Sequence, residues 1–338
     1  MISLRTPTLF RRLTLAALLA GAWANAAQAL TLTLYSAQHE QTVNLLIKDF
    51  AKQSGINVQV RSGEGPELAA QLLTEGSASP ADVYFTENSP ELMRLQQQGL
   101  LAPVRPSTLA QIPARYNSPQ GAWVGVLARE NVLVYNTTMI APQAIAHSLL
   151  ALAQPAWKGK IAIAPSDGDF LPLVSAVLAS RGKAATLTWL RGLHSNAQIF
   201  DDDEGVTAAV NRGAVALGII NNYYWARLST ELGPIATHSA LFHYANDDVG
   251  ALVNVSGAAQ LKSAHHPEAA QQFLAYLTSA RAQNLLARNH VTFEYPLRPG
   301  VAADPGLKAF NQLPPPPDLN RLGDDRDAAQ LLRQAGLL

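Results

Sequence analysis

Leu30-Thr31-Leu32-Thr33-Leu34-Tyr35 alternates apolar and polar residues, and the segment from Glu40 to Gln53 then places Val43, Leu46, Ile47 and Phe50 at helical spacing. A period of two giving way to a period near 3.6 within twenty residues is the opening of a β-α unit. Gly55 stops the helix, and Asn57-Val58-Gln59-Val60 reads as the next strand. The unit then repeats. Pro66 to Glu75 is a helix with proline at its start and Gly76 at its stop, and Asp82 to Thr86 is a third strand. Ser89 to Gln98 is a third helix, with Ser89 predicted as N-cap and Pro90 at its first position. Three consecutive β-α units predict a doubly wound α/β sheet.

Further along, Trp123 to Asn136 holds two apolar strand-like runs, where the chain is expected to cross into a second lobe. Trp157 to Ile163 opens another β-α series, with helices expected over Leu171–Ser180, Thr186–Leu193 and Val206–Asn211. Gly250 to Val255 reads as a returning strand, followed by helices at Pro267–Thr278 and Ala280–Arg288. Pro314 to Pro317 is a stiff connector, and a terminal helix covers Asp327–Gln334. The expected organisation is a first lobe from 30–130 and 253–304, a second lobe from 131–252, and a C-terminal piece, 305–338, packed on the second lobe. Crossings near 127–136 and 248–256 would act as hinges.

Residues 1–29 read as an export signal. Arg5, Arg11 and Arg12 form a positive start, Leu13 to Ala20 is a short apolar stretch, and Ala27-Gln28-Ala29 is a small-x-small cleavage site. Ala24-Asn25-Ala26 is a second candidate. Cleavage near Ala29 would leave a periplasmic chain with 22 basic residues against 25 acidic, since the leader removes three arginines and no acid. That balance argues against nucleic-acid binding, and no later stretch is long and apolar enough to insert in a membrane. The chain has no cysteine. Disulfides, thiolate metal sites and cysteine nucleophiles are thereby excluded, so any metal must be held by oxygen and imidazole.

The residues with most chemistry sit in four segments, mostly at strand ends, where open α/β sheets bind ligands. They are Tyr35 to Glu40, Phe85 to Asn88, Ala164 to Phe170, and Asn221-Asn222-Tyr223-Tyr224-Trp225. On a continuing strand the two tyrosines would face opposite ways; on a helix or turn they can converge. Converging phenols make a hard oxygen site, while the plainer reading is a pair of core aromatics. His39 and Glu87 likewise have plain readings, as a local hydrogen-bonding group and a helix cap.

The segments Tyr35–Glu40 (YSAQHE), Ser79–Asn88 (SPADVYFTEN), Ala209–Gly213 (AVNRG) and Ile220–Trp225 (INNYYW) resemble those of periplasmic ferric-ion-binding proteins, the solute-binding components of iron(III) ABC transporters. The resemblance covers essentially the whole chain after residue 29. It implies a two-lobed, type II periplasmic-binding-protein fold with a cleft between lobes. It further implies Fe3+ as cargo, held by His39, Glu87, Tyr223 and Tyr224, and delivery of that cargo by a monomer to an inner-membrane permease with its ATPase, without catalysis.

Relatives of this kind complete the iron shell with a synergistic anion such as phosphate or carbonate, set against a small polar loop. Here that loop falls at Ser166-Asp167-Gly168-Asp169, and a second polar position at Asp203, with Asn221 a further candidate contact. Aspartates facing an anion would repel it. They are read either as helix caps, as substitutes for the anion, as partners of its protonated form, or as a means of tuning the site for another cation. Arg129 is read as a bidentate anion contact or as a surface or hinge arginine. Two rival functions remain at this stage. The same cleft could bind an organic cation such as a thiamine- or polyamine-like solute. The chain could also be a secreted metal-dependent hydrolase, although it has neither a His-Glu-x-x-His nor a Gly-x-Ser-x-Gly segment.

Overall fold

The computed structural model describes residues 30–290, 292–315, 322–323 and 325–338. The expected export signal and its cleavage sites, with Pro316 and Pro317 of the proline run, lie outside the described residues. The opening forms as the periodicity predicts: β1 (Thr31–Ala37), α1 (Glu40–Ser54), β2 (Asn57–Ser62), α2 (Gly65–Glu75), β3 (Val83–Thr86) and α3 (Ser89–Gln97). Val43, Leu46 and Phe50 are the buried apolar stripe of α1, and Gly55 ends that helix in the left-handed region at φ 72°. The N-cap of α3 is Asn88 rather than Ser89, and its side chain makes no cap bond. Its amide is spent instead on Gly168 and Arg129.

After a short helix α4 (Pro106–Leu109), the expected pair of runs at 123–136 is one strand of 13 residues, β4 (Val124–Asn136). The polar triplet Arg129-Glu130-Asn131, which separates the two apolar runs, is buried inside it. There follow β5 (Ile161–Ile163), α5 (Phe170–Arg181), α6 (Lys183–Asn196), β6 (Ala197–Ile199), α7 (Asp203–Asn211), β7 (Leu217–Asn221) and α8 (Asn222–Ala236). The chain closes with β8 (Ser239–Phe242), β9 (Val253–Gln260), α9 (Pro267–Leu277), α10 (Ala280–Ala287), β10 (Tyr295–Pro296) and a terminal helix, Arg326–Ala335, which packs on α5 and α6.

The strand order is β2-β1-β3-β9-β4-β7-β5-β6, with β8 and β10 also bonded to β4. The fold is thus α/β and two-lobed, with parallel pairs at both ends of the order and antiparallel ones where β9 and β4 join them. β4 belongs to both lobes. Its residues Val124 to Glu130 pair with β9, whereas Asn131 to Tyr135 pair with β7. The second passage lies alongside, where the Asn131 amide donates to the Leu252 carbonyl at 2.8 Å, one residue before β9 begins. The first lobe packs its core around Leu32, Leu34, Val83 and Phe273. A separate cluster (Val132, Val134, Val206, Val210 and Ile220) lies beneath α7 and α8 and includes Tyr223 and Tyr224. Among the described residues no helix is long and apolar enough to cross a membrane.

Candidate metal centre

Each site residue is placed by the end of a regular element. His39 is the residue before α1, Glu87 follows β3, Asp167 and Asp169 lie between β5 and α5, and Tyr223 and Tyr224 occupy the first turn of α8. β7 runs to Asn221, which caps α8 with extended backbone. The switch from strand to helix at that point lets consecutive phenols share a side, and their ring centroids are 4.1 Å apart. His39 reaches them across the cleft, 4.9 Å from Tyr223 and 6.3 Å from Tyr224 between centroids. Its Nδ1 is in contact with Glu87 Oε1. The four residues expected to ligate are therefore brought together, two from each lobe. The cleft above them encloses about 630 Å³. Among the described residues no three His, Asp or Glu side chains form a metal cluster without help.

The acidic loop lies directly against those phenols. Tyr223 donates to Asp169 Oδ2 at 2.8 Å, and Tyr224 lies 3.5 Å from Asp167 Oδ2. Asp167 accepts from the Asp169 amide at 2.9 Å, while Asp169 and Asp203 do not cap their helices with their side chains. Asp169 precedes α5 without a side-chain cap bond, and the cap of α7 is Asp202, whose carboxylate accepts from Gly205 N. Asp203 instead accepts from the Asn221 amide at 3.2 Å, and its own amide donates to Asp167 at 3.0 Å. It fixes the start of the tyrosine helix to the acidic loop. Gly168 contributes its carbonyl, which accepts from Asn88 Nδ2 across the cleft at 3.3 Å.

Arg129 is fully buried and is not a surface arginine. Its donors go to Asp169 Oδ1, Asn88 Oδ1 and the Glu87 carbonyl, each at 2.7 Å. The guanidinium that was read as an anion contact is thus taken by a carboxylate of the protein itself. Asn88 and the Arg227 guanidinium, 4.7 Å from the Tyr223 ring centroid, were missed from the sequence. Arg227 was legible, because it stands four residues after Tyr223 on one helix. Glu294, 3.7 Å from Arg129, follows no motif.

Burial and crowding set the protonation states. Both phenols are pushed well above the ordinary tyrosine value, first by burial and then by Asp169, so they carry their protons in the absence of a cation. Asp167 rises to about 7 because it is buried beside Asp169. Burial also raises Asp203 well above the usual carboxylate range, with Asp167 adding to it. For Asp169 burial is outweighed by Arg129, and the group stays below the usual value. Burial lowers His39, but the neighbouring Glu87 outweighs it and the net shift is upward. The two phenols thus stay protonated beside an ionised Asp169.

The chain is similar to known proteins along most of its length. The family model described as bacterial extracellular solute-binding protein matches residues 46–315. The chain is 38% identical over 308 residues to the Fe(3+)-binding periplasmic protein of Serratia marcescens, covering 91% of this chain and 90% of that one. The crystal structure of iron-bound HitA from Pseudomonas aeruginosa aligns with a TM-score of 0.87 and 42% identity, over 91% of this chain and all of that one. A Trichodesmium protein (IdiA, FutA) in complex with iron and citrate aligns with a TM-score of 0.79 and 31% identity, over 91% and 100%. With a family model spanning most of its length and a relative well above 30% identity, the chain belongs to the bacterial extracellular solute-binding protein family.

Proposed function

We propose that the protein binds ferric iron in the periplasm and delivers it to an inner-membrane ABC permease, without catalysing a reaction. The observation that carries this reading is the meeting of His39 and Glu87 with the two phenols of Tyr223 and Tyr224 across one cleft. Two phenolates and one carboxylate balance a trivalent cation, and a neutral imidazole adds a nitrogen donor. Relatives with iron in their names, and the aligned iron-bound structure, support the same cargo. The organic-cation reading is less well supported, because Asp169 is already paired with Arg129 and is not free to meet a soluble amine.

The loop expected to seat a synergistic anion carries Asp167 and Asp169, whose carboxylates lie against the two phenols. We infer that these carboxylates supply the negative charge that phosphate or carbonate would bring, with Arg129 acting on Asp169 rather than on an anion. Closure about the two passages at Glu130–Asn131 and Leu252–Val253 would let the first lobe's pair and the second lobe's pair act on one ion, and the closed monomer would then dock on the permease. Ferric titration of the purified protein should develop a visible phenolate-to-iron charge-transfer band at one iron per chain. No band at saturating iron would refute the assignment.

A further inference from the structure

Glu294 is 2% exposed, and neither of its carboxylate oxygens has a hydrogen-bond partner among the described residues. Its Oε1 lies 3.7 Å from Arg129 Nη1, close enough for charge attraction and too far for a hydrogen bond. A buried carboxylate without donors is costly, and in a native protein it calls for a reason. The guanidinium beside it is held from the other side, where Asp169 meets Nη2 at 2.7 Å, while its Nε has no hydrogen-bond partner among the described residues.

The two acids reach Arg129 from different lobes. Arg129 lies on the half of β4 that pairs with β9, opposite Asn254. Glu294 adjoins β10, which pairs with β4 at Ala128, next to Arg129. Glu294 and Arg129 therefore share a sheet and stay together when the lobes separate. Asp169 comes from the start of α5 in the other lobe and must depart with it. The preceding residue, Phe293, sits in the left-handed region at φ 50° with its ring in the apolar cluster of the tyrosine helix. Its carbonyl accepts from Asn222 Nδ2 at 3.2 Å. For a bulky side chain that backbone is strained, and it persists only where the surroundings demand it. The strained residue ties the Glu294 segment to the second lobe in the closed form, and separation of the lobes would release it.

We propose that Glu294 is a positioning residue that takes Arg129 over from Asp169 as the cleft opens. The exchange of one guanidinium between two carboxylates then sets the balance between retention and release of the cargo. In the closed form Asp169 wins and Glu294 is left without donors. In the open form Arg129 turns to Glu294, so the buried arginine never lacks a counter-charge and opening is made easier. The inference goes beyond the ferric-binding reading and rests on it only for the release rate, because the lobe equilibrium exists without cargo.

Glu294→Gln keeps the size and removes the charge, so it should favour closure. Small-angle X-ray scattering of ligand-free protein should show a more compact particle than ligand-free wild type. Stopped-flow transfer of iron to a chelator should be about tenfold slower, and Glu294→Asp should restore part of the rate. Wild-type compactness in a folded Glu294→Gln variant, or a shift toward a more extended particle, would overturn the proposal. Should that variant fail to fold, Asp169→Asn tests the exchange from the other side. It leaves Arg129 to Glu294 and should expand the ligand-free particle, and no expansion would overturn the proposal equally. If the wild type takes up no iron, the scattering comparison still decides the exchange, while the cargo reading fails separately.

Discussion

Asp169→Asn tests the claim that the protein carries its own anion. In the wild type the Asp169 carboxylate is 2.7 Å from Arg129 Nη2, with both groups buried. Breaking such a pair costs about 3–5 kcal/mol when the surviving charge is left alone. Arg129 is not left alone, because Glu87 Oε2 lies at 3.8 Å and Glu294 Oε1 at 3.7 Å. The loss of folding stability should therefore fall to about 1–3 kcal/mol, the value of a charged hydrogen bond. The effect on iron is more diagnostic. Asp169 touches Tyr223 and neutralises Arg129, so its removal should weaken ferric binding about 10–100-fold, or roughly 1.4–2.8 kcal/mol. In the iron-loaded closed form it also frees a donor of Arg129 Nη2 beside the phenols. Phosphate should then bind in the variant and recover much of the lost affinity, while the wild type should be indifferent to phosphate. The assay is competition against citrate at fixed pH, read from the charge-transfer absorbance with and without phosphate. A wild type whose affinity depends on phosphate, or a variant that ignores it, refutes the reasoning.

Tyr223→Phe and Tyr224→Phe should each cost at least about 100-fold in ferric affinity and weaken the visible band, and a spectrum unchanged in both would exclude phenolate ligation. Because both phenols are raised and protonated at neutral pH, ferric binding should release at least two protons per ion, countable with a pH-stat, and uptake should weaken on acidification. The ligand-free protein should respond in the opposite sense. His39 is raised, and Asp167 and Glu294 are raised to about 7, so their stabilising contribution is full at low pH and is lost as pH climbs through those values. The apo Tm should therefore rise from pH 8 to pH 5 while iron affinity falls, and a falling apo Tm over that interval would contradict the burial of these acids. Gly125→Ala should cost roughly 1–3 kcal/mol by chemical denaturation, because a Cβ there would meet the Tyr116 carbonyl at 2.3 Å, and a cost well under about 1 kcal/mol would show that β4 can shift.

The β-α opening was legible because α1 buries one stripe and its stops are glycines that the backbone needs, Gly55 at φ 72° and Gly76 at φ 55°. The tyrosine pair was legible as chemistry, and its convergence depended only on a helix starting after Asn221. β6 and β8 were not foreseen. They are three and four residues long and largely half-exposed, too short to show a period. Asp203 and its neighbours allow several readings, capping among them, and the residue that caps α7 is Asp202, one position away. Local composition cannot tell those two positions apart, because the distinction is made by the Asn221 amide arriving from a distant strand. Glu294 was invisible for the same reason, since its significance lies entirely in Arg129, far away in sequence.

The misreading of β4 as two runs points to how the molecule couples binding to movement. Arg129, Glu130 and Asn131 interrupt an apolar strand because each is satisfied by something other than the sheet's apolar faces. Arg129 turns to the acids of the cleft, and Asn131 donates from its amide group to the Gly250 carbonyl beside the second passage. Glu130 is fully buried, with His243 at 2.8 Å and Lys308 at 3.4 Å. Its backbone amide donates to Asn222 Oδ1 at 2.8 Å, next to the tyrosines. The hinge and the site are therefore joined within three consecutive residues. A ligand moves such an equilibrium only by the difference in its affinity for the two states. With His39 and Glu87 on one lobe and Tyr223 and Tyr224 on the other, the open form offers half of the donors and the closed form all of them. For a trivalent ion that difference adds to the contacts that already cross the cleft, the buried Arg129–Asp169 pair and the Asn88–Gly168 hydrogen bond. Closure should therefore be driven by the cargo, and the apo protein should be poised near the point where small changes at Arg129 decide which form prevails.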